Sequence, residues 1–134
     1  MRAITIFDLA VIVLSCLGAG LFPGLLSAQV ISGVAITQDA HRMAIRVEGA
    51  GHLDVHAERI QNPERLALDF AGAHLKVQRT LIPGVSAPVR GVRLGQFRPD
   101  VARVVIDLTT SVPYQITHEG DAVVVYLQAA GGSL

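Results

Sequence analysis

The stretch Arg103-Val-Val-Ile-Asp-Leu108 decides the fold, because apolar side chains recur at every second position along it. In an extended strand Val104, Ile106 and Leu108 share one face, and the two charged residues lie on the other. An α-helix would instead repeat its apolar residues at spacings of three and four, and no long pattern of that kind follows the N-terminal segment. The stretch therefore predicts a half-buried strand with one face in an apolar core.

Seven other segments show the same period of two and are bounded by turn-forming residues. Pro and Gly mark these turns, as in Asn62-Pro63 and Glu119-Gly120-Asp121. The predicted strands are Val30–Thr37, Arg42–Glu48, Leu53–Ile60, Arg65–Phe70, Gly91–Phe97, Arg103–Leu108, Tyr114–His118 and Ala122–Leu127. The alternation further predicts that Met43, Ile45, Val47, Leu66, Leu68, Phe70, Val123, Val125 and Leu127 face inward. Short strands separated by turns in this way are typical of an all-β sandwich or barrel.

The sequence also contains an internal repeat. Residues 33–38 align with residues 91–96, and Ile45 aligns with Ile106 once Phe97-Arg98-Pro99 is treated as an insertion. Each half therefore carries four strands in the same order. Neither set of four strands can bury much apolar surface alone, so we expect the two halves to pack against each other.

This pattern divides the chain into a signal segment, one domain and a tail. The domain is expected to span residues 29–128, with a crossover at residues 71–90 between its halves at about 30–70 and 91–127. The crossover is expected to contain a short strand at Leu75–Val77. Residues 129–134 are expected to form a flexible tail.

The first 28 residues resemble a secretory signal peptide. Arg2 precedes an apolar run that begins at Leu9, and the small residues Ser27 and Ala28 end the segment, so cleavage is expected after Ala28. An uncleaved anchor is the alternative, because the apolar run is about long enough to span a bilayer. Cys16 lies inside this run and is interpreted as part of the signal core rather than as a lipid-attachment site.

The composition excludes several classes of protein. A chain of 134 residues holds one ordinary domain at most. Its 11 basic and 11 acidic residues leave no net charge, whereas nucleic-acid-binding proteins carry a basic surplus, so no nucleic-acid partner is expected. A single Cys excludes a disulfide framework within the chain. An aromatic content of 4% with no Trp leaves few platforms on which sugars or bases could stack.

The sequence offers no support for catalysis, a metal site or a cofactor. His52 and His56 have the spacing of metal ligands on a helix, but four residues of a strand span about 13 Å, too far for one ion. No Ser lies in a nucleophile elbow, and no Gly-rich loop suits a phosphate. We therefore expect a protein that is not an enzyme.

Four stretches of the chain carry a resemblance to the AMIN domain, and the resemblance as a whole covers roughly residues 30–128. The stretches are Arg65–Gly72, Val89–Phe97, Pro99–Leu108 and Tyr114–Leu127. The AMIN domain precedes the catalytic unit of periplasmic N-acetylmuramoyl-L-alanine amidases and the pore of type IV pilus secretins. The resemblance implies a β-sandwich of two symmetric four-stranded sheets, in agreement with the internal repeat.

The resemblance implies an exported, non-catalytic module that binds peptidoglycan and localises to the periplasm or cell envelope. No amidase or secretin domain follows the matching stretches in the sequence, so we expect the module to occur without one. The implied partners are peptidoglycan and envelope proteins such as amidase, secretin or pilus components. Contact with a membrane is expected only through an uncleaved signal segment.

The candidate binding residues are polar side chains expected on the outer faces of the strands. Arg can hold a carboxylate of a peptide through two parallel hydrogen bonds, and Asp can accept from sugar hydroxyls. The candidates are Arg93, Arg98, Arg103, Asp107, Arg65, Asp69 and Tyr126, the last being the one aromatic expected on such a face. The simpler interpretation is that these residues form ordinary Arg–Asp pairs across neighbouring strands.

Three functions remain open on the sequence alone. The favoured one is peptidoglycan binding. The second is a protein-interaction module of a type IV pilus, secretin or other envelope assembly, which would use exposed strand edges or an apolar patch. The third is a hydrolase, which would need a cluster of catalytic residues that the sequence does not show.

Overall fold

A computed structural model describes residues 29–129, and that range contains ten strands and no helix. The strands are β1 (Gln29–Gln38), β2 (Arg42–Ala50), β3 (Asp54–Ile60), β4 (Arg65–Ala71), β5 (Ala73–Leu75), β6 (Leu81–Pro83), β7 (Val89–Arg98), β8 (Val101–Leu108), β9 (Tyr114–Glu119) and β10 (Ala122–Gln128). The eight predicted strands are confirmed, each with ends within two residues of the prediction. The predicted signal peptide with Cys16, and residues 130–134 of the predicted tail, lie outside the described residues. Within residues 29–129, no helix long and apolar enough to cross a membrane is found.

The strands form two sheets of five, so the prediction of four strands in each sheet was wrong. Sheet A has the order β5-β1-β2-β10-β9, and sheet B has the order β3-β4-β8-β7-β6. The fifth strand of each sheet comes from the crossover. The strand expected at Leu75–Val77 lies at Ala73–Leu75 instead, because it pairs in parallel with Gln29–Ile31 at the start of β1.

Each sheet combines strands from both halves of the repeat. Strands β1 and β2 join β9 and β10, whereas β3 and β4 join β7 and β8. The register also corrects the sequence alignment: Val34 lies opposite Val47, and Val92 lies opposite Ile106. Because Val34 aligns with Val92, the equivalent of Ile106 is Val47 rather than Ile45.

The core lies between the two sheets and contains the predicted inward-facing residues. All nine apolar residues predicted to face inward are buried, as are Val104, Ile106 and Leu108 of the deciding stretch. Ala67 and Val124, which alternation places outside, are also buried, at 4% and 2% exposure. Val124 lies opposite Arg46 and Thr117 in the register, so longer neighbouring side chains can cover this small outer residue.

Candidate functional site

The outer face of sheet B brings most of the candidate residues together. Arg65 and Asp69 lie on β4, Arg103 and Asp107 on β8, and Arg93 on β7, with Arg98 at the end of β7. Asp69 lies directly opposite Arg103, and Arg65 directly opposite Asp107, in the register of β4 and β8. Tyr126 is separate, since it lies on β10 in sheet A.

Two of the arginines hold carboxylates in paired hydrogen bonds. Arg103 donates from Nε and Nη2 to the two carboxylate oxygens of Asp69, at 2.7 and 2.9 Å. Arg93 donates in the same way to Asp107, also at 2.7 and 2.9 Å. One edge of each guanidinium is therefore occupied by an aspartate of the same sheet. The hydrogen bonds from Arg103 lower the pKa of Asp69, and those to the aspartates raise the pKa of Arg103 and of Arg93.

An exposed phenylalanine adjoins these pairs. Phe97 is 49% exposed, and the guanidinium carbon of Arg103 lies 3.7 Å from the centre of its ring. The guanidinium carbon of Arg98 lies 5.2 Å from the same ring centre. Both distances suit cation–π attraction. The expectation that Tyr126 is the one aromatic on an outer face was therefore wrong.

Phe97 escaped prediction because it lies where the strand alternation breaks. The pairing of β7 with β8 shifts between Gln96 and Arg98, so a period of two no longer gives the direction of the residue between them. The available signal was its position where the second half of the repeat is longer than the first, although the register leaves one extra residue there rather than the three of Phe97-Arg98-Pro99.

A groove of about 450 Å³ lies at this end of sheet B. Its lining residues are Asp54, His56, Asp69, Ala71, Phe97, Arg98, Val101 and Arg103. The register explains how they meet, because Asp54, Ala71, Val101 and Arg98 form one row across β3, β4, β8 and β7. His56, Asp69 and Arg103 form the next row. The first row thus has small and apolar residues in its middle and opposite charges at its two ends, and the second row carries the Asp69–Arg103 ion pair.

Arg98 and Asp54 are the groove charges that no ion pair neutralises within residues 29–129. The side chain of Arg98 has the Phe97 ring as its neighbour and no carboxylate within salt-bridge distance among the described residues. Its charge still reaches the groove, since it helps to lower the pKa of Asp69. Asp54 on β3 is exposed and accepts no side-chain hydrogen bond in the described part of the chain. Asp54 and His56 were not among the predicted site residues, because β3 as a sequence shows no sign of which strand it will border.

The remaining candidates are engaged elsewhere. Arg65 donates from Nη1 to the carbonyl oxygen of Pro63 at 3.0 Å. The hydroxyl of Tyr126 donates to Glu119 at 2.6 Å, and Arg42 lies over its ring with its guanidinium carbon 3.9 Å from the ring centre. This hydrogen bond raises the pKa of Tyr126 and lowers that of Glu119. Tyr126 therefore belongs to a polar network on the outer face of sheet A.

A second groove, of about 590 Å³, lies at the opposite end of sheet B. The apolar residues Leu81, Ile82 and Pro83 of β6 line it, and Leu81 is 64% exposed. Its charged lining residues are Arg79, Arg90, Glu64 and Asp107. Asp107 is paired with Arg93, and the other three have no salt-bridge partner among the described residues. Within residues 29–129, no group of three or more His, Cys, Asp or Glu residues could hold a metal ion.

Comparison with models of known protein families gives a match over most of the described residues. The family model described as AMIN domain matches residues 33–127, which cover nearly all of the described chain. No sequence among curated proteins matches the chain with significance.

Proposed function

The chain belongs to the AMIN domain family, and from this premise we propose that it is an exported, non-catalytic module that binds peptidoglycan. The AMIN domain is a targeting domain of amidases and secretins and is typically periplasmic. The proposal places this protein in the periplasm or elsewhere in the bacterial cell envelope, with peptidoglycan as its main partner. The role of the module is to hold itself, and any envelope protein bound to it, at the cell wall.

The groove at Phe97 and Arg98 is the observation that supports binding by this chain. The guanidinium of Arg98 has no carboxylate partner among the described residues, so it can donate two parallel hydrogen bonds to a peptide carboxylate. Arg93 and Arg103 already make this kind of paired hydrogen bond with aspartates of the same sheet. Phe97 offers an exposed apolar face against which part of a ligand can pack. Peptidoglycan supplies peptide carboxylates together with sugar hydroxyls and acetamido groups.

In this proposal the other candidate residues position the groove residues or make additional contacts with the ligand. Asp69 orients Arg103, which in turn holds the Phe97 ring beside the groove. The N–H groups of Arg93 and Arg103 that Asp107 and Asp69 leave unused can donate to sugar hydroxyls along the same face. Arg65 and Tyr126 would extend contact beyond the groove. Contacts of this kind are individually weak, but a polymer that repeats the same unit allows them to act together.

Replacing Arg98 tests whether the groove, rather than the rest of the surface, binds peptidoglycan. We expect Arg98→Ala to weaken co-sedimentation with purified peptidoglycan sacculi about tenfold, the equivalent of about 1.4 kcal/mol, because a charge-assisted contact is lost. Arg79→Ala is the matched control, since it removes the same charge from an exposed residue outside this groove. Binding by the parent protein should also fall as salt screens the arginines.

Two results would contradict the proposal. If the parent protein does not sediment with sacculi at any salt concentration, this chain does not bind the wall. If Arg98→Ala and Arg79→Ala weaken sedimentation equally, binding depends on overall charge, and the groove is not the site.

The second groove supports the alternative of a protein-interaction module. Exposed Leu81 suits an apolar segment, and the two unpaired arginines outnumber the unpaired Glu64, which favours a segment that carries an acidic residue. A partner of this kind would be an envelope protein such as an amidase, secretin or pilus component. The alternative gains weight if sacculi are not bound and Leu81→Asp abolishes association with such a protein.

A further inference from the structure

We infer that the groove lined by Asp54, Phe97 and Arg98 binds a dipolar amino-acid head group, with an ammonium and a carboxylate on one carbon, carried on an aliphatic side chain. The inference rests on the proposed function, because a stem peptide whose diamino acid is not cross-linked presents such a group. It goes further by naming the feature that is recognised and the residue that recognises each charge: Arg98 for the carboxylate and Asp54 for the ammonium.

The placement of the two charges carries the first step. Asp54 and Arg98 stand at opposite ends of one row across four strands, with Ala71 and Val101 between them. Neighbouring strands are about 4.8 Å apart, so β3 and β7 are separated by about 14 Å. Both side chains line the same groove, so a ligand held in the groove lies beside both charged residues. A head group with both charges a few ångströms apart can therefore contact both residues.

The charge balance of the groove carries the second step. Asp69 is neutralised by Arg103 in two hydrogen bonds, so it offers no net charge to a ligand. Asp54 and Arg98 keep their charges, because neither has a salt-bridge partner within residues 29–129. A purely anionic ligand would meet Arg98 but be repelled by Asp54, and a neutral sugar would leave both charges unused. A dipolar ligand satisfies both.

The apolar lining carries the third step. Phe97, Ala71 and Val101 lie between or beside the two charges, and 49% of Phe97 is exposed. The methylene groups of an aliphatic side chain can cover this surface, and their removal from water stabilises the bound state. The ring of Phe97 is held in place by Arg103, 3.7 Å from its centre. The groove thus offers apolar surface beside its two unpaired charges.

The test uses three soluble peptides that differ only at the head group: one free, one acetylated on the head-group amine and one amidated on its carboxylate. Each is titrated into the ¹⁵N-labelled full-length protein and followed by the backbone resonances of the groove. We expect the free peptide to shift the resonances of Asp54, Ala71 and Arg98, and each modified peptide to bind about tenfold more weakly. Tenfold corresponds to the loss of about one charge-assisted contact.

Variants assign each charge to its residue. Asp54→Asn should abolish the preference for the free over the acetylated peptide while leaving the preference over the amidated one. Arg98→Gln should do the reverse. Glu58→Gln and Arg90→Gln are controls of matched charge that lie outside the groove and should preserve both preferences.

The outcomes separate this inference from the wall-binding proposal. If sacculi are bound but the three peptides bind equally, or none binds, the inference is wrong and the wall-binding proposal stands. If the peptides are discriminated as expected but sacculi are not bound, the groove is assigned correctly and the wall-binding proposal fails. If neither variant changes its own preference, the assignment of the two residues is overturned.

Discussion

At the scale of single residues, Arg103 organises the groove rather than offering a free charge. Its guanidinium edge holds Asp69, and its guanidinium carbon lies 3.7 Å from the centre of the Phe97 ring. A lysine could not make both contacts, because it lacks a planar group with paired donors. Arg103 was predicted as a ligand contact, but its hydrogen bonds to Asp69 and its contact with Phe97 indicate that it positions these neighbours.

Arg103→Ala should leave the domain folded and reduce its free energy of unfolding by about 1 kcal/mol, because the ion pair is partly exposed. For a domain of this size that loss lowers Tm by several degrees. Thermal unfolding measured by circular dichroism provides the test. A loss several times larger would mean that Arg103 lies on the buried face of β8.

The same pair should depend on pH in a defined direction. Because Arg103 lowers the pKa of Asp69 in the folded state, the stabilisation is present above the ordinary Asp pKa of about 3.9 and is lost as pH falls through the lowered value. A double-mutant cycle with Arg103→Ala and Asp69→Ala measures this coupling. It should be positive at pH 7 and decrease as the pH falls through the lowered pKa of Asp69, whereas a coupling that does not decrease at acid pH while the protein stays folded would contradict the assignment.

At the scale of elements, a side chain from sheet B closes the open edge of β5 in sheet A. Gln96 accepts from the N–H of Leu75 at 2.9 Å and donates to the carbonyl oxygen of Ala73 at 3.0 Å. These are edge groups of a three-residue strand that would otherwise need water. Gln96 thereby links the two sheets next to the groove residues Phe97 and Arg98.

Gln96→Ala should reduce the free energy of unfolding by about 1 kcal/mol, since the two backbone groups lose their partners but remain near solvent. The amide of Leu75 should also exchange its hydrogen faster than in the parent protein. Gln78→Ala, at an exposed position with no side-chain partner among residues 29–129, is the matched control. Equal exchange of Leu75 in the parent and Gln96→Ala proteins would show that the link does not protect β5.

The repeat also places two bridging side chains at equivalent positions of β3 and β9. Arg59 donates to the carbonyl oxygen of Val112 at 2.6 Å, and His118 Nε2 lies 2.9 Å from the carbonyl oxygen of Leu53. Each side chain reaches the segment that precedes the other edge strand. The two contacts therefore tie sheet A to sheet B along the same open side of the sandwich, using different residue types.

At the scale of the whole molecule, one core holds together strands that are distant in the sequence. Because each sheet takes strands from both halves, β2 borders β10 and β4 borders β8. Neither half can then form its sheet without the other. The groove inherits this dependence, since β3 and β4 supply Asp54 and Asp69, whereas β7 and β8 supply Arg98 and Arg103.

Ile106→Asp should abolish cooperative folding. Ile106 has no exposed surface, and an unpaired carboxylate in its place costs several kcal/mol, a large part of the 5–15 kcal/mol that stabilises a typical domain. Ile106→Val should cost only about 1 kcal/mol, because it keeps the position apolar. Circular dichroism melting curves and one-dimensional NMR spectra distinguish the two variants. A cooperative melt of Ile106→Asp near that of the parent would contradict the core assignment.

The sequence by itself determined the eight long strands and the faces that point inward, as at Val104, Ile106 and Leu108. Strand alternation is a local property, so neighbouring residues are sufficient to show it. The resemblance to the AMIN domain likewise required only the sequence. The same local pattern could not show that small outer residues such as Ala67 would be covered by their neighbours.

Only the tertiary structure decided how the halves interleave, where β5 and β6 join the sheets and which side chains form the groove. These features depend on pairing between strands that are far apart in the chain. The sequence of one strand does not show which strand will pair with it or in which register. The row from Asp54 to Arg98 exists because four strands from two halves stand side by side. Phe97 lines the groove beside this row because a shift in register breaks the alternation at the end of β7.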